Sequence, residues 1–414
     1  MCDSLYASSP ASRGPSFFAK NSDRHPDEPQ ALCLVPGRPA SPRIAVGAKS
    51  FERPDRGYSF LLSKPSWMGG GEMGLNERGV AIGNEAVFSR FKAAKDGSLG
   101  MDILRASLGH ASTAAEARDF LCAFVEAEDQ GGNGAYRGSL VYSNSFIVAD
   151  PREAFVVETA GRRWAWKAIP ERATISNAYS IESDYDAVDA ATARELETSG
   201  EGIGWRAHVE DRFYLAFTKG DSRRACTMGS LTKGEEPSFE GMLAALRDHG
   251  RGSRPGRGMG SPCVHEAGFP VKSSTTASLI VEYPSSGEGC ITAWYTGSSH
   301  PCLSVFVPIL LREGRFIPLW DDYDLGEGSA SSYERWEAAK ELHRKLGGLR
   351  ASLEPSLIEA RDGFQLRLKT AAAEATQALE TEDRAALDGA RSRVAEALRG
   401  WEAHLGTLAD SPSS

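Results

Sequence analysis

Residues 1–10 read MCDSLYASSP and residues 17–24 read FFAKNSDR. The first stretch puts a cysteine at position 2, where chain termini ordinarily fray and carry nothing of consequence. The second is an apolar, strand-like run that ends in Lys20, Asn21, Ser22 and Asp23. Side chains alternate along a strand, so Lys20 and Asp23 leave its end in different directions. An aspartate there can hold the nitrogen of Cys2. Removal of Met1 would give that nitrogen the character of a free α-amine, which titrates near ~7.7–8.0 and works as a base close to neutrality. A thiol with a pKa of about 8.5 is mostly protonated at pH 7, and a proton acceptor on the same residue supplies what it lacks. On physical grounds alone, an ordinary second residue and a polar turn after a strand explain the same letters.

Outward from this start, residues 17–90 are strand-like. QALCLVPG (30–37), YSFLLSKPSW (58–67) and GVAIGNEAVF (79–88) are short apolar runs punctuated by Gly, Pro, Asn and Asp. The period then changes to three and four residues in 99–130, where Ser112 or Thr113 offers an N-cap followed by Glu116. QGGNG (130–134) closes the helical stretch. A hairpin turning at Asp150 and Pro151 follows, then the strand-like ATISNAYSI (173–181), an amphipathic helix in SFEGMLAALRDHG (238–250) and a second hairpin in 275–297. Strands, helices and strands again predict sheets covered by helices in layers. After about residue 325 the text becomes rich in Ala, Glu, Arg and Leu, which predicts a C-terminal helical extension. Such helices cover the core or pair with a second copy of the chain, so a homo-oligomer stays open.

The chain has 414 residues, more than the roughly 250–300 at which single cores stop growing. Hydrophobic residues at 41% suffice for a large core, and the net charge of -9 gives no reason to expect nucleic acid or an anionic membrane as partner. Apolar runs such as CLSVFVPILL (302–311) are too short to span a bilayer. The opening residues lack the basic patch and apolar stretch of a secretory signal, which points to the cytoplasm. Seven cysteines at wide, irregular spacing suit reduced thiols better than a disulfide framework or a zinc site.

Taken in order, MCDSLYA, FAKNSDR, GGGEMGLNERGVAIGNEAVFSR, LGMDILR, QGGNG, NSFIVADPREAFVVETAGRRWAW, ISNAYSI, SSTTASLIVEY and WYTGSSHPCLSVFVP resemble the signatures of the secernin and dipeptidase family. That family belongs to the N-terminal-nucleophile hydrolases, with penicillin V acylase and bile salt hydrolase among its relatives. The resemblance covers about residues 2–310. It implies an α+β fold, a four-layer αββα sandwich, with a catalytic domain over 2–325 and the helical extension over 326–414. It also implies a cysteine-type dipeptidase or amide hydrolase acting on a small peptide or amide through an acyl-enzyme. An N-acyl amide hydrolase and a non-catalytic interaction protein on the same scaffold are the rival readings.

Carried over by motif, Cys2 is the nucleophile and its α-amine the general base. Asp23 would orient the amine. Lys20 stands where the acylase relatives place an arginine, without that side chain's bidentate fork. Asn84, in AIGNEA, and Asn177, in TISNAY, match asparagines used around the oxyanion and the nucleophile, and each ends an apolar run where a side chain can face a cleft. Arg224, with Arg223 as the alternative, matches a late arginine near the site. Glu72 and Asn76 are characteristic of the dipeptidase branch and either bind a substrate ammonium or satisfy a loop. Many chains of the family carry histidine before NSF, where this one has Ser143.

The family requires no histidine, and His110, His208, His249 and His265 are expected in core or surface roles. No H-E-x-x-H spacing occurs, and GGGEMG (69–74) lacks the lysine and hydroxyl of a phosphate loop. The sequence therefore calls for no metal and no cofactor.

Overall fold

A computed structural model of the chain describes residues 2–9, 14–198, 203–234, 236–250, 258–266, 272–285, 287, 289–320, 324–348 and 350–410. Met1, whose removal the sequence reading invokes, lies outside them. The strands are β1 (Cys2–Ala7), β2 (Ser16–Arg24), β3 (Gln30–Val35), β4 (Ile44–Val46), β5 (Lys49–Phe51), β6 (Phe60–Pro65), β7 (Met73–Asn76), β8 (Ala81–Val87), β9 (Ser143–Ala149), β10 (Ala154–Ala160), β11 (Arg163–Ala168), β12 (Arg172–Ile175), β13 (Ala187–Val188), β14 (Ser274–Tyr283), β15 (Ile291–Tyr295), β16 (Val307–Arg312) and β17 (Arg315–Pro318). The helices are α1 (Gly100–His110), α2 (Ala114–Ala127), α3 (Ala190–Thr198), α4 (Trp205–Val209), α5 (Arg212–Thr218), α6 (Gly220–Leu231), α7 (Phe239–Leu246), α8 (Ala330–Lys345), α9 (Pro355–Glu380) and α10 (Arg384–Asp410).

Two antiparallel sheets form the centre. One runs β12-β1-β2-β14-β15-β16-β17 and the other β13-β11-β10-β9-β8-β7-β6-β3. Their inner faces meet where β1 packs on β8 and β9. Helices α1 and α2 cover the outer face of the eight-stranded sheet, while α6, α7 and α9 cover the seven-stranded one. This is the expected four-layer αββα arrangement. Both faces of β2 and β14 are buried, which fits the nearly continuous run of apolar and small residues in β14, whereas the second half of β2 buries Lys20, Asn21 and Asp23.

Local chemistry sets the element ends. Thr113 caps α2 by accepting from the Glu116 amide, and the Glu116 carboxylate accepts in return from the Ser112 amide. Ser238 caps α7 in the same way through the Gly241 amide. At the β9–β10 turn the Asp150 carboxylate accepts from the amides of Arg152 and Glu153. Helices α3 to α6 were not anticipated; α5 is only seven residues long and α6 carries few apolar residues, so neither shows a helical period. The strand expected over 173–181 is shorter, because β12 stops at Ile175 and Asn177 lies just beyond it.

The C-terminal helices share the core. The buried Trp336 indole donates to the Thr276 carbonyl of β14 (2.7 Å). Gln365 of α9 exchanges two hydrogen bonds with the backbone of Phe306. Leu368, Ala371 and Ala375 join the same apolar cluster as β15 and β16. Among the described residues no helix is long and apolar enough to cross a membrane.

Gly83 of β8 decides how closely the sheets approach. A Cβ at this position would lie 2.6 Å from Lys20 Cδ, 2.7 Å from Ser4 Oγ and 2.9 Å from the Phe18 ring. Gly83→Ala should therefore destabilise the protein by about 1–3 kcal/mol through overpacking, read as a lower urea midpoint. An unchanged midpoint would show that the sheets have slack here.

Candidate active site

Strand pairing places every side chain of the site. In the β1–β2 ladder Cys2 faces Ser22, Asp3 faces Asn21 and Ser4 faces Lys20. Residues opposite each other share a face, so Cys2, Ser4, Lys20 and Ser22 line the space between the sheets. Asp3, Asn21 and Asp23 point the other way, toward α6 and α7. Asn21 confirms the parity by donating to the carbonyls of Leu246 and Pro262 on that side.

Cys2 is 5% exposed, so its thiol is enclosed and not in bulk solvent. The Cys2 nitrogen donates to Asn177 Oδ1 (2.8 Å), and the Asp23 amide N–H points at Cys2 Sγ (3.5 Å). Ser176 Oγ donates to the Cys2 carbonyl (3.2 Å). Burial pushes the thiol pKa up, against the pull of the Lys20 ammonium. The thiol at rest is therefore protonated, and a reaction at sulfur needs a base within reach.

On the inner face Lys20 is fully buried. Its Nζ donates to Glu85 Oε1 (3.0 Å) and to the Asn84 carbonyl (2.7 Å), and Ser4 Oγ donates to the same Glu85 oxygen (2.5 Å). Burial alone would lower the lysine's pKa, but Cys2 and Glu85 hold it above its ordinary value. Burial raises Glu85 to about 7 despite Lys20 and Ser4. Glu85 had not been singled out from the sequence; its signal was an acid directly beside Asn84 on a strand whose neighbours are apolar.

On the outer face the organising group is Arg223. Its Nη2 lies 2.5 Å from Asp3 Oδ2 and 2.5 Å from Asp23 Oδ2, and its Nη1 donates to Asn177 Oδ1 (3.2 Å). Asp23 Oδ1 accepts from Thr275 Oγ1 of β14 (2.6 Å). Asp23 thus reaches the Cys2 nitrogen through Arg223 and the Asn177 amide. Burial pushes Asp3 up, opposed by Arg223 and assisted by Asp23, while the two carboxylates outweigh burial and hold Arg223 above its usual range.

Two placements correct the sequence reading. Arg224 was preferred to Arg223, yet one residue turns a helix by about 100°. The buried residues of α6 are Gly220, Arg223, Thr227, Ser230 and Leu231, which leaves Arg224 on the flank. There it lines a surface cavity of about 1020 Å³ with Lys167, Asp184, Asp186, Arg206 and Asp221. The second correction concerns Asn84. Strand alternation puts it on the face of Ile82 and Phe146, where its amide donates to Asn144 Oδ1 (3.1 Å). Its contact on the Cys2 side is made by its carbonyl, so the carboxamide bonded to Cys2 is that of Asn177, whose Nδ2 donates to the Ala86 carbonyl (2.7 Å).

Of the remaining candidates, Glu72 is buried with Oε1 3.3 Å from Arg24 Nη1, and its Oε2 has no hydrogen-bond partner among the described residues. Burial raises its pKa, with Arg24 and Lys20 opposing. Asn76 satisfies a turn and a helix end, accepting from the amides of Arg78 and Val80 and donating to the carbonyls of Leu108 and Ala111. Of the four histidines, His110 packs on Phe120 and His208 on Phe91. His249 and His265 instead converge with Cys263 and Cys302, where the sequence reading gave the histidines separate core or surface roles and the cysteines the part of reduced thiols.

No family model matches the chain. Its structure is similar to that of conjugated bile acid hydrolase from Clostridium perfringens, at 13% identity and a TM-score of 0.42, over 71% of this chain and 88% of the other. It is also similar to penicillin V acylase from Agrobacterium tumefaciens, at 11% identity and a TM-score of 0.44, over 77% and 92%. A third is the N-acylethanolamine-hydrolyzing acid amidase ortholog of Caenorhabditis elegans, at 14% and 0.35, over 67% and 92%.

The geometry separates the two adjacent arginines. Removing one partner of a buried ion network costs about 3–5 kcal/mol, whereas a flank residue changes stability by about 0.5 kcal/mol or less. Arg223→Ala should lose that much in urea denaturation and Arg224→Ala almost nothing; equal losses would overturn the assignment. Glu85 supplies a pH test. Its folded pKa of about 7 lies above the ordinary 4.5, so the folded state holds the extra proton between these values. Its contribution to stability is complete below about 4.5 and fades as pH rises through about 7. Glu85→Gln should flatten the fall in stability over that window by up to ~1.4 kcal/mol per pH unit, measured by urea melts from pH 4.5 to 8.

Proposed function

We propose that the chain is an N-terminal-nucleophile amide hydrolase, and within that class a cysteine-type dipeptidase. The observation that carries the reading is the separate polar hold on the two ends of one buried residue: the Cys2 nitrogen on Asn177 and the Cys2 sulfur facing the Asp23 N–H. With Met1 removed, the nitrogen becomes an amine next to its own thiol. It takes the thiol proton as sulfur attacks the amide carbonyl and passes that proton to the departing amine. The same nitrogen then takes a proton from the water that cleaves the thioester. The raised thiol pKa supports this division of labour, because a protonated thiol needs a base at the moment of attack.

The preference for a dipeptide over an N-acyl amide rests on Glu72. Among the described residues nothing completes the buried Glu72 Oε2, which is costly, and a substrate ammonium would do so. An N-acylated substrate has no such charge. A binding scaffold without catalysis has no use for so many buried polar groups around one cysteine. The motif resemblance of residues 2–310 to the secernin and dipeptidase family adds to the reading. None of the seven cysteines is in a disulfide, in keeping with a reducing compartment such as the cytoplasm.

The test compares dipeptides with their N-acetyl counterparts on the full chain, after intact mass has been used to establish whether the initiator is absent. Dipeptides should be cleaved, Cys2→Ala should abolish turnover and Cys2→Ser should reduce kcat by at least ~10²-fold. Glu72→Gln should raise KM for free-amine dipeptides more than it lowers kcat. Full activity of Cys2→Ala would end the thiol mechanism, and a preference for N-acetyl substrates would replace the dipeptidase with an acylase.

A further inference from the structure

Away from Cys2, four side chains from three distant segments point their ligating atoms at one another. His249 Nε2 lies 3.3 Å from His265 Nε2, which is 3.6 Å from Cys263 Sγ and 3.1 Å from Cys302 Sγ, and the two sulfurs are 3.5 Å apart. All four atoms lie within 4.8 Å of one another. A tetrahedral ion with Zn–S of ~2.3 Å and Zn–N of ~2.0–2.1 Å requires edges of ~3.8 Å between sulfurs, ~3.6 Å between sulfur and nitrogen and ~3.3 Å between nitrogens. The His249–His265, His265–Cys263 and Cys263–Cys302 edges come close to these values, and the His265–Cys302 edge of 3.1 Å is shorter. A disulfide would bring the sulfurs to ~2.05 Å. We propose that His249, Cys263, His265 and Cys302 bind one Zn²⁺.

The surroundings hold the ligands in place. Cys263 and Cys302 are buried, the His265 ring stacks on His300 with centroids 4.2 Å apart, and His300 Nε2 lies 2.9 Å from Ser274 Oγ. His300 has a left-handed φ of 59° and precedes the single turn that carries Cys302. The carbonyl of Cys302 accepts from Arg361 of α9 (2.6 Å), and the amide of Cys263 donates to the Asp248 carbonyl (2.9 Å). Four protein ligands close a tetrahedral site, which leaves no position for substrate or water and makes the ion structural.

The site also bears on the candidate active site. Cys263 and His265 flank Val264, whose amide donates to Thr275 Oγ1 (2.9 Å) and whose carbonyl accepts from the Thr275 amide (3.0 Å). Thr275 in turn donates to Asp23. The ion therefore clamps the loop that braces Asp23 and ties it to the turn beneath α9.

Metal analysis of the purified full chain, kept reduced, should find one zinc per chain. Chelator-stripped protein titrated with Co²⁺ should develop thiolate-to-cobalt absorption and tetrahedral d–d bands at one equivalent, bleached by Zn²⁺, and its Tm should fall on stripping. Cys302→Ser should lose the thiolate band or its one-equivalent stoichiometry, whereas Cys2→Ser should keep both. The titration of the unmodified chain stands even where Cys302→Ser does not fold. Absence of zinc together with no tetrahedral cobalt spectrum, an unchanged spectrum in Cys302→Ser, or a Cys263–Cys302 disulfide in the reduced preparation would each overturn the proposal.

Discussion

The buried guanidinium of Arg223 is the group around which the candidate site is arranged. It meets Asp3 from β1, Asp23 from β2 and Asn177 from beyond β12, and so joins the polar ends of three segments that the strand ladders bring side by side. Two carboxyl groups on one fully buried cation, with little water to solvate them, are a costly arrangement unless hydrogen bonds complete it. Thr275 accounts for one further lone pair on Asp23. Without the arginine Asp3 and Asp23 would lose the cation between them, and Asn177 Oδ1 would keep the Cys2 nitrogen as a donor but lose Arg223.

The inner face solves a different problem with the same materials. Lys20 and Glu85 form a fully buried pair beneath the cysteine, supplemented by Ser4 and the Asn84 carbonyl. The lysine stays charged, while the glutamate sits near neutrality in its titration. A cation below a buried thiol favours the thiolate as it forms, yet desolvation keeps the resting thiol protonated. Charge is thereby available for the reaction without being present beforehand. Gly83 allows this pair to span the gap between the sheets, since any larger residue would occupy the space of the lysine stem.

Much of the architecture was legible in local patterns. The caps of α2 and α7, the turn at Asp150 and the two hairpins follow from residue types whose backbone preferences are strong and short-ranged. Asp23, Lys20 and Asn177 were readable because strand alternation and motif order put them close to Cys2. The choice between Arg223 and Arg224 was not, because it depends on the rotation of a short helix whose buried stripe is mostly polar. Asn84 illustrates the same limit in a strand: a motif names the residue, but the parity of pairing with β9 decides that its backbone and not its amide turns toward Lys20. The meeting of His249, Cys263, His265 and Cys302 was hidden by spacing, since the segments that carry them are brought together by β14 and the turn at Pro301.

By itself the sequence determined which chemistry the chain carries: a cysteine at position 2, an acid and a cation at the end of an apolar strand, layered strands and helices, and no apolar run long enough to span a bilayer. These depend on composition and on interactions within a few residues. The tertiary structure alone decided which groups meet, because contacts such as Arg223 with Asp3 or Cys302 with Cys263 join residues far apart in the chain. Such contacts are set by strand register, helix rotation and the exclusion of water from the space between layers, and none of these is a property of a local stretch of residues.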